Sequence, residues 1–244
     1  MRVTRAYVDL PLQVGQRVPL PDSAAAHLLR VLRLRAGDAC VLFNGDGHDY
    51  PARVLRADKR GGEAEIVERS AVERESPLRI VLVQGIARGE KMDWILQKAT
   101  ELGVDAIVPV ASERSEVKLD AQRADKRHAH WRSVVISACE QSARARIPEV
   151  AAPVAFADAL AALPADALRL MLDPAAQRGI GTLPGPIAQA VIAIGPEGGF
   201  SPGDRVLLTA HGFGGLRLGP RILRSETAGL AAIAALQSRF GDFA

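Results

Sequence analysis

Two glycine-bearing turns near the carboxyl end of the chain hold the residues best suited to chemistry. The first follows the apolar run ending at Ile194 and reads Gly195-Pro196-Glu197-Gly198-Gly199-Phe200-Ser201-Pro202. This density of Gly and Pro specifies a tight, fixed turn at a strand's carboxyl end, where α/β proteins usually bind ligands. It lacks the Gly-Lys-Ser/Thr ending of a phosphate-gripping loop and the G-x-G-x-x-G of a dinucleotide site. A turn that merely reverses the chain would fit the same residues. Ser201, Pro202 and Asp204 have the order of a helix start, with Ser as cap, Pro in first position and Asp reaching back.

The second turn, Leu216-Arg217-Leu218-Gly219-Pro220-Arg221-Ile222-Leu223-Arg224-Ser225-Glu226-Thr227-Ala228, opens the last helix. Free backbone N–H groups at a helix start favour anions. Glu226 suits that position; Arg221 and Arg224 oppose the dipole, and cations held against such a preference point to function.

The elements that must position these turns fall into two textures. Residues 1–73 read as short β-leaning runs (14–20, 39–43 and 64–67), punctuated by Asn44-Gly45-Asp46-Gly47 and Gly61-Gly62. One helix, about Ser23 to Leu32 with Ser23 as cap, interrupts them, and a small β-barrel is the expected shape. A charged stretch at 68–77 marks the boundary, so 74–244 forms the second domain. There the apolar runs 80–83, 106–110, 168–172 and 190–194 suit buried parallel strands. Between the first two, Met92, Ile95, Leu96, Ala99 and Leu102 recur at helical spacing, with Gly103 as the terminal cap. That alternation is the pattern of an α/β domain with helices on both sheet faces. Trp94 reads as packing, and His128 and His130 as solvated.

Bulk properties narrow the function classes. Charged residues make up 24% of the 244 and hydrophobic ones 48%, which fits a globular chain and excludes extensive disorder. The pI is about 9.1, with Arg the dominant cation, which points to a polyanionic partner. Cys40 and Cys139 stand alone, without a Cys/His cluster, so neither a metal site nor a disulfide framework is expected. No secretory signal core or long apolar span occurs, and a cytoplasmic setting is the expectation.

Taken in order, Ile194–Ser201 and Leu218–Ala228 resemble the paired signature of the SPOUT superfamily of RNA methyltransferases. Within it, the likeness is to the family that methylates N3 of a uridine in small-subunit (16S) ribosomal RNA. Gly89–Val104, Ser112–Ser115, Ala138–Arg144 and His27–Asp38 also match, so the likeness spans nearly the whole chain. Ser225 stands where the family usually has Thr, and both carry a hydroxyl.

The resemblance implies a trefoil-knot α/β domain behind a PUA-like RNA-binding barrel, S-adenosylmethionine as methyl donor, no metal, and a homodimer. Its donor pocket would draw on Leu172, Gly195, Pro196, Glu197, Gly198, Gly199, Leu218, Gly219, Ile222, Leu223, Arg224, Glu226, Thr227 and Ala228. Methylating uracil N3 requires removing or loosening its proton, through a base or through cations that stabilise the anion. The bases on offer are Glu197, Glu101, Glu140 and Glu226; the cations are Arg114, Arg144 and Arg224, of which Arg224 is preferred. Glu197 fits a loop-holding role equally well.

RNA contacts are expected from Arg5, His27, Arg30, Arg33, Arg35, Arg114 and Arg144. The stretch 114–146 carries eight Lys/Arg, including Lys118, against four acids including Glu116 and Asp120, a net +4. Action on another RNA atom, such as a tRNA ribose 2′-oxygen, and a non-catalytic ribosome-assembly factor are the alternatives.

Overall fold

Short strands with alternating burial build the first of two units into which the chain divides, residues 1–75 with 139–147, and 76–138 with 148–244. The computed structural model describes residues 4–58, 61–115 and 121–243; Glu116, Lys118 and Asp120 of the basic stretch lie outside the described residues.

In the first unit, β1 (Arg5–Tyr7), β2 (Arg17–Pro19), β3 (Ala39–Phe43), β4 (His48–Asp58), β5 (Gly61–Ile66) and β6 (Ser70–Ala71) form one sheet. Its order is β1-β3-β4-β5-β2, with β6 also on β4. The β1–β3 pair is parallel and the others antiparallel. Strand β5 alternates half-buried and buried residues along its whole length, so one face covers the core. A register shift between Val54 and Arg56 lets β4 bend, and Val18, Leu28, Leu42, Tyr50, Val54 and Ile66 meet in one apolar cluster.

The expected helix starts one residue early and without a side-chain cap. Pro21 precedes α1 (Asp22–Ala25), which continues as a π-helical turn over Ala26–Val31. Ser23 is exposed, while Ala24, Ala25 and Leu28 face the core.

Arg5 and Arg144, expected to contact RNA, are both buried in the first unit. Arg5 is only 6% exposed. Its guanidinium is ion-paired with Asp49, donates to the Arg144 carbonyl at 3.0 Å and lies 4.7 Å over the Phe43 ring. Arg144, 4% exposed, is ion-paired with Glu75. Donors engaged inside the unit are poorly placed for a phosphate, and their burial is tolerable because each charge has its counter-charge.

The second unit holds β7 (Arg79–Gly85), α2 (Glu90–Glu101), β8 (Ala106–Ala111), α3 (Ala121–Ser142, its last residues grouping with the first unit), β9 (Glu149–Val150), β10 (Val154–Ala155), α4 (Phe156–Ala161), β11 (Leu168–Leu172), β12 (Gln189–Ile194), α5 (Pro202–Ala210), β13 (Gly214–Leu216) and α6 (Ser225–Phe240). The sheet runs β10-β8-β7-β12-β11-β13, with β9 beside β8. All its pairings are parallel, so every strand ends at the same edge.

Val81, Val83, Val191 and Ala193 pack with α4 and α5 residues such as Phe156, Leu160 and Leu208. The alternate residues face the other way, where α6 contacts β7 and β12 and packs on α2. Helices therefore cover both faces, as the apolar runs require. After β13 takes the sheet's edge, α6 returns to its centre.

Helix α2 buries Met92, Ile95, Leu96 and Ala99, and Gly103, at φ +83°, follows its end. Trp131 is buried, but Trp94 is 45% exposed, against the packing expectation. Neither histidine is merely solvated. His128 Nε2 lies 2.7 Å from the Val150 carbonyl, and His130 Nε2 lies 2.7 Å from Asp93. Burial pushes the Cys40 thiol up to about 11 and that of Cys139 to about 12, so neither is a nucleophile at neutral pH. Among the described residues, no helix is long and apolar enough to cross a membrane.

Candidate active site

The carboxyl ends of β11, β12 and β13 open onto one cavity of about 350 Å³, a volume suited to a small-molecule ligand. Its walls come from three places: Leu172–Pro174 after β11, the turn after β12, and the chain from Leu216 into α6. The two turns singled out in the sequence therefore converge.

The first turn is rigid for local reasons. A Cβ on Gly195 would stand 2.9 Å from the Gly199 backbone, and one on Gly85, at the end of β7, 2.5 Å from the Pro196 nitrogen. The turn thus folds against itself and the neighbouring strand, leaving room for neither side chain. The Gly199 N–H donates to the Pro196 carbonyl at 2.8 Å. Ser201 and Asp204 then form the reciprocal capping box, each bond 2.9 Å. Such a cap is worth about 1 kcal/mol and fixes the direction of α5.

Within the cavity lie Leu172, Gly195, Pro196, Glu197, Gly199, Leu218, Gly219, Ile222, Leu223, Arg224 and Ala228. Three residues expected there lie elsewhere. Gly198 turns away, its carbonyl accepting a 2.9 Å bond from Arg114. Glu226 and Thr227 face a separate groove with Lys91, Asp93 and Trp94, because the first turn of α6 rotates them off the cavity side. Sequence reasoning missed Asp173, Pro174 and Arg205, which also line the cavity, as do Ile194, Phe200, Leu216, Arg217, Arg221 and Ser225 of the two turns already singled out. Asp173 follows directly on an apolar run, but nothing in its neighbours announces a role. Arg224, exposed, stands just before α6, and its carbonyl accepts the Thr227 and Ala228 N–H groups.

The two carboxylates beside the turns are held ionised. Partial burial pushes Glu197 up, but the Arg88 N–H at 3.1 Å, its own N–H and the Lys91 ammonium outweigh this and leave its pKa below the ordinary range. Glu226 is lowered by its own backbone N–H, then by Ser225 and Lys91, against slight desolvation. Lys91 Nζ lies 3.5 Å from Glu197 and 3.7 Å from Glu226, so this residue, unnoticed in the sequence, bridges the two turns. Of the other carboxylates considered, Glu101 pairs with Lys98 at 2.9 Å and Glu140 accepts the Tyr7 N–H at 3.0 Å; neither lines the cavity.

In the first unit, Arg30, Arg33 and Arg35 line one groove and are exposed. Arg33 adopts φ +59°, a conformation unfavourable for a residue with a Cβ. His27 is half-buried and does not line this groove.

Residues 74–237 match the family described as the RNA methyltransferase domain, and residues 20–67 match the RNA methyltransferase PUA domain. The chain belongs to the RNA methyltransferase family. This methyltransferase is 36% identical over 241 residues to ribosomal RNA small subunit methyltransferase E of Buchnera aphidicola subsp. Schizaphis graminum, covering 99% of this chain and 98% of that one. The protein of the same name from Bacillus subtilis is 30% identical, with 95% of each chain covered.

Among solved structures, ribosomal RNA small subunit methyltransferase E from Neisseria gonorrhoeae, bound to S-adenosyl methionine, superposes with a TM-score of 0.95 at 43% identity over all of both chains. A Legionella pneumophila methyltransferase in complex with the bound cofactor SAM gives 0.94 at 39% identity, covering 99% of this chain and 100% of that one. The methyltransferase therefore shares the fold of these two structures, with an RNA methyltransferase PUA domain in its amino-terminal part.

Proposed function

We propose that this chain transfers a methyl group from S-adenosylmethionine to N3 of a uridine in small-subunit (16S) ribosomal RNA. The observation that carries the reading is the convergence of three loops on one cavity at the sheet's carboxyl edge, in a chain that aligns end to end with structures holding that donor.

The cavity fits a nucleoside sulfonium. Leu218, Leu223 and Ala228 offer apolar walls to adenine. Gly219, at φ +71° with open space where a Cβ would stand, leaves backbone N–H and C=O approachable. The bound donor supplies an electrophilic methyl group; the protein's part is to orient the acceptor and manage its proton. Leu172, Gly195, Pro196, Gly199 and Ile222 complete the slot.

A general base works best with a pKa near the operating pH, whereas Glu197 and Glu226 lie below the ordinary carboxylate range. In this reading they hold Lys91 and the loop backbone, and the uracil anion is stabilised by Arg224 at the cavity wall. The first domain, 1–73, grips RNA phosphates through Arg30, Arg33 and Arg35, and Arg114 lies beside the glycine turn of the second, 74–244. The working form is a homodimer.

Incubation with labelled donor and unmodified small ribosomal subunits, followed by mass mapping of the modified nucleoside, tests the proposal. A single 3-methyluridine is expected. A methyl group on a ribose oxygen would refute the base assignment, and absence of donor binding in calorimetry would leave the assembly-factor reading.

A further inference from the structure

Asp173 and Arg205 share the cavity with the glycine turn, yet neither belongs to a motif. Asp173 is the first residue after β11, the strand hydrogen-bonded to β12, so its carboxylate stands one strand away from the Gly195 turn. Arg205 projects from the first turn of α5. Its Nη1 donates to Asp173 Oδ2 at 2.5 Å and its Nη2 to Oδ1 at 3.5 Å, while Oδ1 also accepts the Ala175 N–H at 3.0 Å.

The pair is more rigid than two surface side chains. Arg205 follows Asp204, which is locked to Ser201 by the capping box, and the Asp173 N–H donates to the Leu216 carbonyl at 3.0 Å. Partial burial pushes Asp173 up, while the Ala175 N–H and Arg205 more than offset it, so the group is ionised at neutral pH. An ionised carboxylate only accepts hydrogen bonds and has about four lone-pair positions. Arg205 and Ala175 take three of these, leaving about one open, on Oδ2. The other carboxylate of the cavity, Glu197, is engaged by the Arg88 N–H and faces Lys91, so a ligand hydroxyl finds its acceptor at Asp173.

Resting on the donor reading above, we propose that Asp173 recognises the ribose of the bound nucleoside, accepting a hydrogen bond at Oδ2 from one hydroxyl of its 2′,3′-diol while Arg205 holds the carboxylate in position. An acidic side chain one strand from a glycine turn meets the same geometric need in other nucleoside sites. Arg205 is a positioning residue in this assignment.

The test is titration calorimetry on the full chain with S-adenosylhomocysteine, with 5′-methylthioadenosine, which keeps the ribose but lacks the amino-acid end, and with the 2′,3′-dideoxy form of the latter. Asp173→Ala is expected to weaken the first two by the same factor, roughly 10- to 100-fold, as for loss of a hydrogen bond to a charged group. The dideoxy ligand should bind wild type and variant alike. Asp173→Asn, which keeps shape and one acceptor oxygen, should fall between. Arg205→Gln should weaken both ribose-bearing ligands equally, but less than Asp173→Ala.

Equal S-adenosylhomocysteine affinity for wild type and both Asp173 variants overturns the proposal. So does a loss confined to S-adenosylhomocysteine, which would assign the pair to the amino-acid end. A wild-type chain that binds none of the three removes the donor reading itself, and the ribose assignment with it.

Discussion

Replacing Glu197 with Gln separates two chemistries that the same carboxylate could serve. As general base, Glu197 would contribute the 10²- to 10⁴-fold typical of positioned proton transfer, and Gln, with no basic oxygen, would forfeit nearly all of it. As a holder, Glu197 does two things: it accepts the Arg88 N–H at 3.1 Å and faces the Lys91 ammonium at 3.5 Å. The Gln amide oxygen still accepts the first bond. What disappears is the charge opposite Lys91, whose side chain is 42% exposed. Pairs in such water-screened settings are worth about 0.2–1 kcal/mol, a factor of roughly 1.4 to 5 in rate or donor affinity. The two roles therefore differ by more than an order of magnitude in one variant.

Single-turnover methyl transfer, with donor affinity measured separately, reads the difference. The holder role predicts a loss of no more than about fivefold, shared between donor affinity and rate. The acid limb of the pH–rate profile should stay in place, because a carboxylate already ionised throughout the neutral range imposes no titration there. A hundredfold fall in rate at unchanged donor affinity would refute this reasoning and restore Glu197 as the base.

Other perturbations test neighbouring claims. Arg224→Ala should lower turnover at least tenfold while leaving donor affinity nearly unchanged; a change within about twofold, or ~0.4 kcal/mol, ends the anion-stabilising assignment. Gly195→Ala, whose Cβ would fall 2.9 Å from the Gly199 backbone, should weaken donor binding and lower the melting temperature together, as shown by calorimetry and thermal unfolding. Asp49→Ala strands the buried Arg5 guanidinium and should cost about 3 kcal/mol in urea unfolding; a loss below 1 kcal/mol would mean that Phe43 and the Arg144 carbonyl suffice to hold it. Arg33→Gly removes a charge and relieves its left-handed backbone, so stability should hold while the salt dependence of RNA binding flattens by roughly 0.7 to 0.9 in log–log slope, if Arg33 contacts a phosphate.

The parts legible in the sequence are those written in short-range patterns. The runs at 80–83, 106–110, 168–172 and 190–194 each sit inside a strand, because a strand buried on both faces is apolar throughout. The Ser201 capping box was equally readable, since both partners lie within four residues. Strand β4 escaped notice although it is the longest of the first unit: His48, Asp49, Pro51 and Arg53 break its apolar pattern.

Charge was the poorest guide. Arg5 and Arg144 read as RNA contacts because an arginine near others looks like a basic surface, yet their counter-charges stand 44 and 69 positions away. No local window contains that information. Trp94 fails for the opposite reason: helical spacing beside Ile95 does not say which flank of a stripe the core covers.

The site divides along the same line. Glycines announce themselves, because a turn that packs backbone on backbone admits little else. Asp173, Arg205 and Lys91 are ordinary residues made significant by where parallel strands end. Three adjacent strands finish at one edge, so chain separated by tens of residues meets there, and a carboxylate after β11 reaches a guanidinium from α5. The polar pairs of the site thus join residues whose partners meet only after folding. For that reason the glycine turns were legible as a candidate site, whereas the Asp173–Arg205 pair at its wall emerged only with the fold.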